Sequence, residues 1–322
     1  MILVVLGHAI LAGSLQNFIY VFHMPFFFVM AGFLLNLDRW GGDYNYKSFV
    51  SKLVKRLLVP YYIAQFLWYP FLVVKEHYFG HLMKIIFYRS PIENFLGIFI
   101  GNPTMLPLGP LWFLPCLLIA EIIFIKLYNQ FSKSSTEIFV MAVVVSAYAG
   151  FVLSYFGYLL LGFNVALASQ IFLLAGVLIR RYNFVEKMNL KIFSVVALLL
   201  IFSFQFNRRV EMSGSIFGEP FLFYAGGLTG TLIVMKLSVL IKSGKIFSLI
   251  SDCGRQSMLI LVLHPLIIEL LYNLLVRNNV ATLIEIYNMP IFILLSTVSG
   301  VLIPLFIAKK FGKLPVLKYF CV

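Results

Sequence analysis

Ten apolar runs of membrane-spanning length, or close to it, constrain this chain more than any other feature of its sequence. A helix needs about 20 apolar residues to cross a hydrocarbon layer of ~30 Å. A lipid-exposed backbone must also satisfy its own hydrogen bonds, and the alternation of a membrane barrel is missing, so the runs predict helices. The runs lie near residues 1–14, 18–37, 57–74, 109–125, 138–156, 162–179, 192–207, 220–235, 257–276 and 289–308.

The overall composition agrees with a membrane location. Of the 322 residues, 61% are hydrophobic and only 11% are charged, which is more apolar surface than a water-soluble core of this size requires. The sequence therefore predicts an all-α polytopic membrane protein of about ten transmembrane helices in the lipid bilayer. No repeat or hydrophilic domain divides residues 1–322, so we expect a single integral membrane domain.

The first run is short for a membrane span. It lacks the charged segment and the cleavage site of a signal peptide, and a second apolar run follows at once. We therefore interpret it as a membrane helix, and its short length is what we expect of a helix shortened at its N-terminus.

The basic residues predict the orientation. When loops are assigned alternately to the two faces, 19 of the 25 basic residues fall on one face, as expected for the cytosol. Both termini are then cytosolic, and the net charge of +13 reflects topology without a nucleic-acid partner. The cytosolic set is Arg39, Lys47, Lys52, Lys55, Arg56, Lys126, Lys133, Arg180, Arg181, Lys187, Lys191, Lys236, Lys242, Lys245, Arg255, Lys309, Lys310, Lys313 and Lys318. The outer set is Lys75, Lys84, Arg89, Arg208, Arg209 and Arg277.

The three cysteines, Cys116, Cys253 and Cys321, are isolated from one another. They lie in a span or on the predicted cytosolic side and do not have the spacing of metal ligands. We expect neither a disulfide framework nor a metal site, and the sequence makes no prediction of oligomeric state.

Five histidines and glutamates lie inside the apolar runs: His8, His23, Glu121, His264 and Glu269. A charged group costs roughly 2.5–3.5 kcal/mol at the centre of a membrane helix, so such residues should face protein or water. Glu121 comes shortly before Lys126 near a predicted cytosolic end, which favours an ion-pair or snorkelling role.

His8 and His23 form the most informative pair. If the turn between the first two spans centres on Leu15 and Gln16, both histidines lie ~11 Å below it and could share one cavity. Pro25 disfavours helical dihedrals at the preceding residue and suits a first helical turn, which predicts that a helix starts there beneath His23. Backbone N–H groups near Pro25 could then stabilise developing negative charge. The alternative is that both histidines only bond neighbouring helices.

The segment "NFLGIFIGNPTMLPLGPLWFLP" cannot form a continuous helix before Leu111, because it contains Pro103, Pro107 and Pro110. A re-entrant cap at membrane depth and an ordinary outer loop are equally compatible with this pattern.

Five motifs, in this order, resemble those of acyltransferase family 3, and most closely its fucose 4-O-acetylase-like branch of sugar O-acetyltransferases. They are "VVLGHA", "FHMPFFFVMAGFLL", "KRLLVPYYI", "GPLWFLPCLL" and "GRQSMLILVLHPL". The resemblance implies a multi-pass protein of the bacterial inner membrane. It also implies transfer of an acyl group, usually acetyl from acetyl-CoA, to a hydroxyl of a cell-envelope carbohydrate.

The residue chemistry is compatible with that reaction. A sugar hydroxyl is a poor nucleophile, so attack on a thioester needs a base, for which His8 or His23 is a candidate; a transient acyl-histidine is a variant. Arg56 and Lys55 are candidates for binding the CoA phosphates, although any cytosolic loop is expected to be basic.

Trp112 and His264 are candidate substrate-binding residues. Trp112 could stack on a sugar, but tryptophan at this position is ordinarily an interfacial anchor. His264 precedes Pro265, which frees a backbone carbonyl in that helix; the alternative for His264 is a structural hydrogen bond.

A transporter or flippase for a lipid-linked sugar or small metabolite is the second functional hypothesis, because such proteins also place ionisable groups inside broken membrane helices. Against it, the two halves show no repeat.

Overall fold

The computed structural model describes residues 1–10, 13–40, 43–79, 90–132, 135–276, 289–315 and 317–321. Over these residues the chain is helical and contains no β-strand, which confirms the predicted all-α polytopic membrane protein. The predicted loop charges Lys84, Arg89, Lys133 and Arg277 lie outside the described residues, as does the side chain of Lys75. The first eight helices are α1 (Ile2–Ala9), α2 (Ser14–Leu34), α3 (Leu37–Trp40), α4 (Asp43–Leu53), α5 (Val59–Phe79), α6 (Pro91–Ile100), α7 (Phe113–Phe131) and α8 (Thr136–Ser154). The rest are α9 (Phe163–Ala168), α10 (Gln170–Arg181), α11 (Phe184–Lys187), α12 (Leu190–Phe206), α13 (Pro220–Leu240), α14 (Gly244–Arg255), α15 (Ser257–Val276) and α16 (Pro290–Phe311).

Each of the ten predicted spans contains a helix, but not every helix is long enough to cross a membrane. Seven segments of the described chain are, by length and composition. The predicted sixth span is a pair of helices, α9 and α10, bent by 51°, which raises the number to eight if the pair crosses as one. The predicted first and seventh spans are the 8-residue α1 and the 17-residue α12. Ten crossings therefore stay a prediction.

Side-chain contacts join segments that the charge distribution places on the same face. At the predicted cytosolic end, Arg180 donates a hydrogen bond to the carbonyl of Phe33, and Lys236 donates to the carbonyl of Val185. At the predicted outer end, Asn164 donates to Ser215. The pairing is what a chain that crosses the membrane with alternating direction requires.

Helix α2 lies at the centre of the bundle and is approached closely by α10 and α13. A Cβ atom on Gly32 of α2 would lie 2.0 Å from the carbonyl oxygen of Leu173, and one on Gly176 would lie 2.0 Å from that of Val29. On α13, Gly230 faces the side chain of Phe22 in the same way. Small residues allow the helices to approach this closely. The van der Waals packing that results, rather than the hydrophobic effect, drives the association of membrane helices.

The proline-rich segment before α7 folds back against the first third of α5. Tyr61 donates a hydrogen bond to the carbonyl of Ile98, and the buried Gln65 exchanges two hydrogen bonds with the backbone of Leu108. Gln65 lies near the middle of the candidate span Tyr46–Val74. These contacts favour the re-entrant alternative over an ordinary outer loop.

Candidate active site

Three histidines and one tyrosine form a cluster where α1, α2 and α15 meet; His23 and His264 are buried, and His8 and Tyr20 are partly buried. The His8 ring lies 5.2 Å from the His264 ring and 6.5 Å from the Tyr20 ring, measured between centroids. The Tyr20 ring in turn lies 4.6 Å from that of His23. The four rings thus form a continuous series from α15 through α1 to α2, and we call it the histidine cluster.

The expected helix start at Pro25 is wrong. Helix α2 runs without interruption from Ser14 to Leu34 with Pro25 inside it. Proline removes one backbone donor, but membrane helices tolerate this where neighbouring helices support the backbone, and here Pro25 packs against Gly227 of α13. His23 therefore does not lie above a helix N-terminus, and the N–H groups after Pro25 are not free to stabilise an oxyanion.

The expected turn at Leu15 and Gln16 is also wrong, since both residues belong to the first turns of α2. His8 lies one residue before the end of α1. It is nonetheless well inside the bundle, because the last turn of α1 packs at the level of Tyr20, ~9 Å along α2 from Ser14. A Cβ atom on Gly7 would lie 3.1 Å from the Tyr20 ring, so only a small residue allows this approach.

The carbonyl groups of the helices fix which nitrogen of two histidines carries the proton. The Nδ1 atom of His23 lies 3.1 Å from the carbonyl oxygen of Ile19, and that of His264 lies 2.8 Å from the carbonyl oxygen of Ile260. A carbonyl oxygen only accepts, so Nδ1 donates in the neutral ring and Nε2 keeps its lone pair. The arrangement leaves Nε2 of both rings able to accept a proton.

His264 is fully buried, and its Nε2 atom has no hydrogen-bond partner among the residues that the structure describes. An unsatisfied polar atom in a membrane interior is costly and indicates a group that meets a ligand or a proton. The ring of His264 lies against that of His8. The expected role of His264 in binding the substrate stays a prediction.

Gln16 joins α1 to the histidine cluster. Its side-chain amide donates to the carbonyl oxygens of Gly7 (3.1 Å) and Ile10 (2.5 Å) at the end of α1, and lies 3.5 Å from the Tyr20 hydroxyl. These bonds satisfy helix-terminal carbonyls that would otherwise be unpaired. Sequence reasoning missed Gln16 and Tyr20, although the spacing of positions 16, 20 and 23 places them on one helix face with His23.

A second buried polar pair lies towards the predicted cytosolic end. Arg56 donates a hydrogen bond of 2.5 Å to Glu121, whose side chain is 3% exposed, while that of Arg56 is 52% exposed. Glu121 therefore pairs with Arg56 rather than with Lys126. Arg56 keeps exposed guanidinium donors for a further partner, and the neighbouring Lys55 is exposed.

Trp112 is buried, with 5% of its surface exposed. Its ring packs at 6.1 Å from Tyr158 and 6.2 Å from Phe113, in the turn of Gly109–Trp112 that precedes α7. It does not face the membrane surface as an interfacial anchor would, and its proposed stacking on a sugar stays a prediction.

Within the described ranges, no group of three or more histidine, cysteine, aspartate or glutamate residues is arranged to hold a metal ion. The rings of the cluster lie in a series, with His264 next to His8 and with Tyr20 between His8 and His23.

Comparison with known protein families gives a match. A family model described as an acyltransferase domain matches residues 1–309, which include all five sequence motifs and every residue of the histidine cluster. Among curated proteins and among solved structures, no match to the chain was found.

Proposed function

The chain belongs to the acyltransferase 3 family, and on that premise we propose that it moves an acetyl group from acetyl-CoA to a hydroxyl of a cell-surface or lipid-linked carbohydrate. The family match confirms the resemblance and makes the chain an acyltransferase, so the transporter hypothesis is not retained. The fucose 4-O-acetylase-like branch and a location in the bacterial inner membrane are part of the proposal.

The observation that carries the proposal is the histidine cluster, because it contains basic ring nitrogens, such as Nε2 of His264, that have no hydrogen-bond partner among the described residues. In the proposed reaction, Nε2 of His23 or a ring nitrogen of His8 removes the proton of the sugar hydroxyl as its oxygen attacks the thioester carbonyl. The bond from Nδ1 of His23 to the Ile19 carbonyl would stabilise the imidazolium that results. The proton then passes to the departing CoA thiolate.

The donor enters from the opposite end in this proposal. Arg56 and Lys55 would bind the CoA phosphates at the predicted cytosolic entry of α5, where guanidinium and ammonium groups are accessible. Arg56 is oriented by Glu121, so its free N–H groups have a defined position.

The depth of His23 supports a site that both substrates can reach. His23 lies nine residues after the first residue of α2 and eleven before the last, near the middle of the helix. At ~1.5 Å per residue, neither end of α2 is more than ~17 Å away. A donor from the cytosol and an acceptor from outside can thus meet near the histidine cluster without a separate carrier.

Mass spectrometry of the surface polysaccharide tests this proposal. A deletion strain is complemented with the wild-type gene, with His8→Ala or with His23→Ala, and membrane abundance is compared in each strain. Wild type should add ~42 Da per acetylated hydroxyl, the mass gained by acyl transfer, whereas neither variant should.

Thr297→Val is the matched control, since this hydroxyl bonds only its own helix and lies outside the cluster. It should retain acetylation. Acetylated polysaccharide in either histidine variant at normal abundance would exclude that histidine as the base, and an unchanged polysaccharide in all strains would reject the carbohydrate acceptor.

A further inference from the structure

An open polar pocket lies at the predicted outer end of α2, apart from the histidine cluster. It has a volume of about 240 Å³ and lies between the first turns of α2 and the end of α12. Its polar lining consists of Ser14, Asn17, Gln205, Asn207, Arg208 and Arg209. Pockets for drug-sized ligands begin at ~300 Å³, so this one suits a single residue of a longer molecule.

The loop that forms one wall of the pocket is firmly held. Asn207 accepts a hydrogen bond from the backbone N–H of Glu219 and donates one to the carbonyl of Phe217. A Cβ atom on Gly218, which has φ +72°, would lie 2.1 Å from the Asn207 side chain. Glu211 and Ile216 exchange two backbone hydrogen bonds across the loop. These hydrogen bonds fix the backbone next to Arg208 and Arg209.

The two arginines differ in their partners. Arg209 forms an ion pair of 2.6 Å with Glu211. Arg208 has no such partner among the residues that the structure describes, and neither do the amides of Asn17 and Gln205. Basic residues are disfavoured on the outer face of a membrane protein. Arg208, Asn17 and Gln205 are all exposed and line the same pocket. An arginine and two amides that share a pocket are suited to an oxyanion that also carries hydroxyl groups.

The pocket is close to the histidine cluster. Val21, which also lines it, follows Tyr20 directly in α2, and Asn17 is one helical turn before Tyr20. A molecule held in the pocket is thus less than ~15 Å from His23 along the helix axis.

We propose that this pocket binds an acidic sugar residue of the acceptor, whose carboxylate or phosphate group pairs with Arg208. The inference rests on the proposed function and deepens it: the acceptor is an anionic carbohydrate. Asn17 and Gln205 bind the hydroxyls of that residue, and a neighbouring sugar presents its hydroxyl to the histidine cluster.

The test measures acetyl transfer by purified protein in phosphatidylcholine nanodiscs. Labelled acetyl-CoA is the donor, and the acceptors are a neutral glucose oligosaccharide, its glucuronate-terminated counterpart and its 6-phosphorylated counterpart. Wild type is compared with Arg208→Gln, Arg208→Lys and the control Arg181→Gln, which removes the same charge at the opposite end of the bundle.

For wild type, we expect kcat/KM to be at least 10-fold higher with one of the two acidic acceptors than with the neutral one. Arg208→Gln should lower kcat/KM for that acceptor by about 10-fold to 100-fold, through KM, because one charge-assisted contact is lost. Arg208→Lys should restore part of it, and the neutral acceptor should be unaffected. Which acidic acceptor is preferred identifies carboxylate or phosphate as the ligand.

Equal kcat/KM for all three acceptors, or equal effects of Arg208→Gln and Arg181→Gln, would overturn the inference while the acetyltransferase function stands. Repeating the assay with phosphatidylglycerol present separates a lipid headgroup from a sugar: an Arg208→Gln effect that appears only in this lipid also overturns the inference. If no acceptor is acetylated, the proposed function fails. Saturation-transfer NMR of the acidic oligosaccharides then decides the pocket alone, because binding that depends on Arg208 would still support it and absent binding would reject it.

Discussion

The histidine cluster and the Arg56–Glu121 pair are both buried polar groups in an apolar bundle, but they differ in how completely their polar atoms are satisfied. Glu121, at 3% exposure, has a charged partner at 2.5 Å. In the cluster, His264 is fully buried and its Nε2 atom lacks a partner among the described residues. Satisfied pairs are explained by folding alone, whereas an unsatisfied nitrogen costs free energy that function must justify.

The comparison separates two kinds of expected mutant. Changes in the histidine cluster should reduce catalysis and leave the fold intact. Changes in the ion pair should mainly reduce stability. They should weaken the binding of acetyl-CoA only if Arg56 also contacts this donor.

The largest effect is expected from the histidines. His8→Ala and His23→Ala should each lower kcat by about 10²-fold to 10⁴-fold, the contribution of a positioned general base. If the two act as a unit, the double variant should lose little more than either single variant. The measurement is acetyl transfer in nanodiscs. If the loss of kcat in the double variant instead equals the product of the two single losses, the two histidines act independently.

Arg56→Ala should be the most destabilising change. It leaves the Glu121 carboxylate buried without a partner, which costs about 3 kcal/mol, the low end for such pairs because the guanidinium is 52% exposed. The melting temperature of the solubilised protein should fall by about 4 °C. The double variant Arg56→Met with Glu121→Leu should recover most of this loss.

Lys55→Ala is the matched control for Arg56→Ala, because Lys55 is exposed and carries the same charge. It should raise KM for acetyl-CoA and leave the melting temperature unchanged. If neither variant changes this KM, the two residues do not bind the donor, and Arg56 is structural alone.

A smaller loss of stability is expected at the contact between α2 and α10. In Gly176→Ala, the added Cβ atom would lie 2.0 Å from the Val29 carbonyl, so the two helices must separate at a cost of about 1–3 kcal/mol. The shift should lower activity as well, since α2 carries Tyr20 and His23. Gly254→Ala is the control, because nothing lies within 4 Å of its added Cβ atom. Equal melting temperatures for the two variants would contradict the close approach.

Tyr20→Phe should have the smallest effect. It keeps the ring between His8 and His23 and removes the hydroxyl that lies 3.5 Å from the Gln16 amide. A loss of about 5-fold in kcat is expected from one weak hydrogen bond. A much larger loss, with a shifted pH profile of kcat, would instead make the hydroxyl part of proton transfer.

Much of the architecture could be predicted from the sequence. The apolar runs located the helical segments, because hydrocarbon thickness and backbone hydrogen bonding leave few alternatives. The orientation that the basic residues indicate stays a prediction. The errors came at particular residues. Pro25 predicted a helix start by its local preference, but packing against α13 supports an uninterrupted helix. Glu121 was matched to Lys126 by proximity in sequence, whereas the fold pairs it with Arg56.

The sequence alone determined the all-α membrane architecture, the candidate base residues and the family resemblance, since these depend on composition and on short motifs. Only the tertiary structure placed His264 of α15 against His8 of α1, joined Gln16 and Tyr20 to the site, and formed the pocket around Arg208. Such contacts join segments up to about 250 residues apart. They depend on how closely glycine-bearing helices approach one another, which is a property of three-dimensional packing that no local pattern encodes.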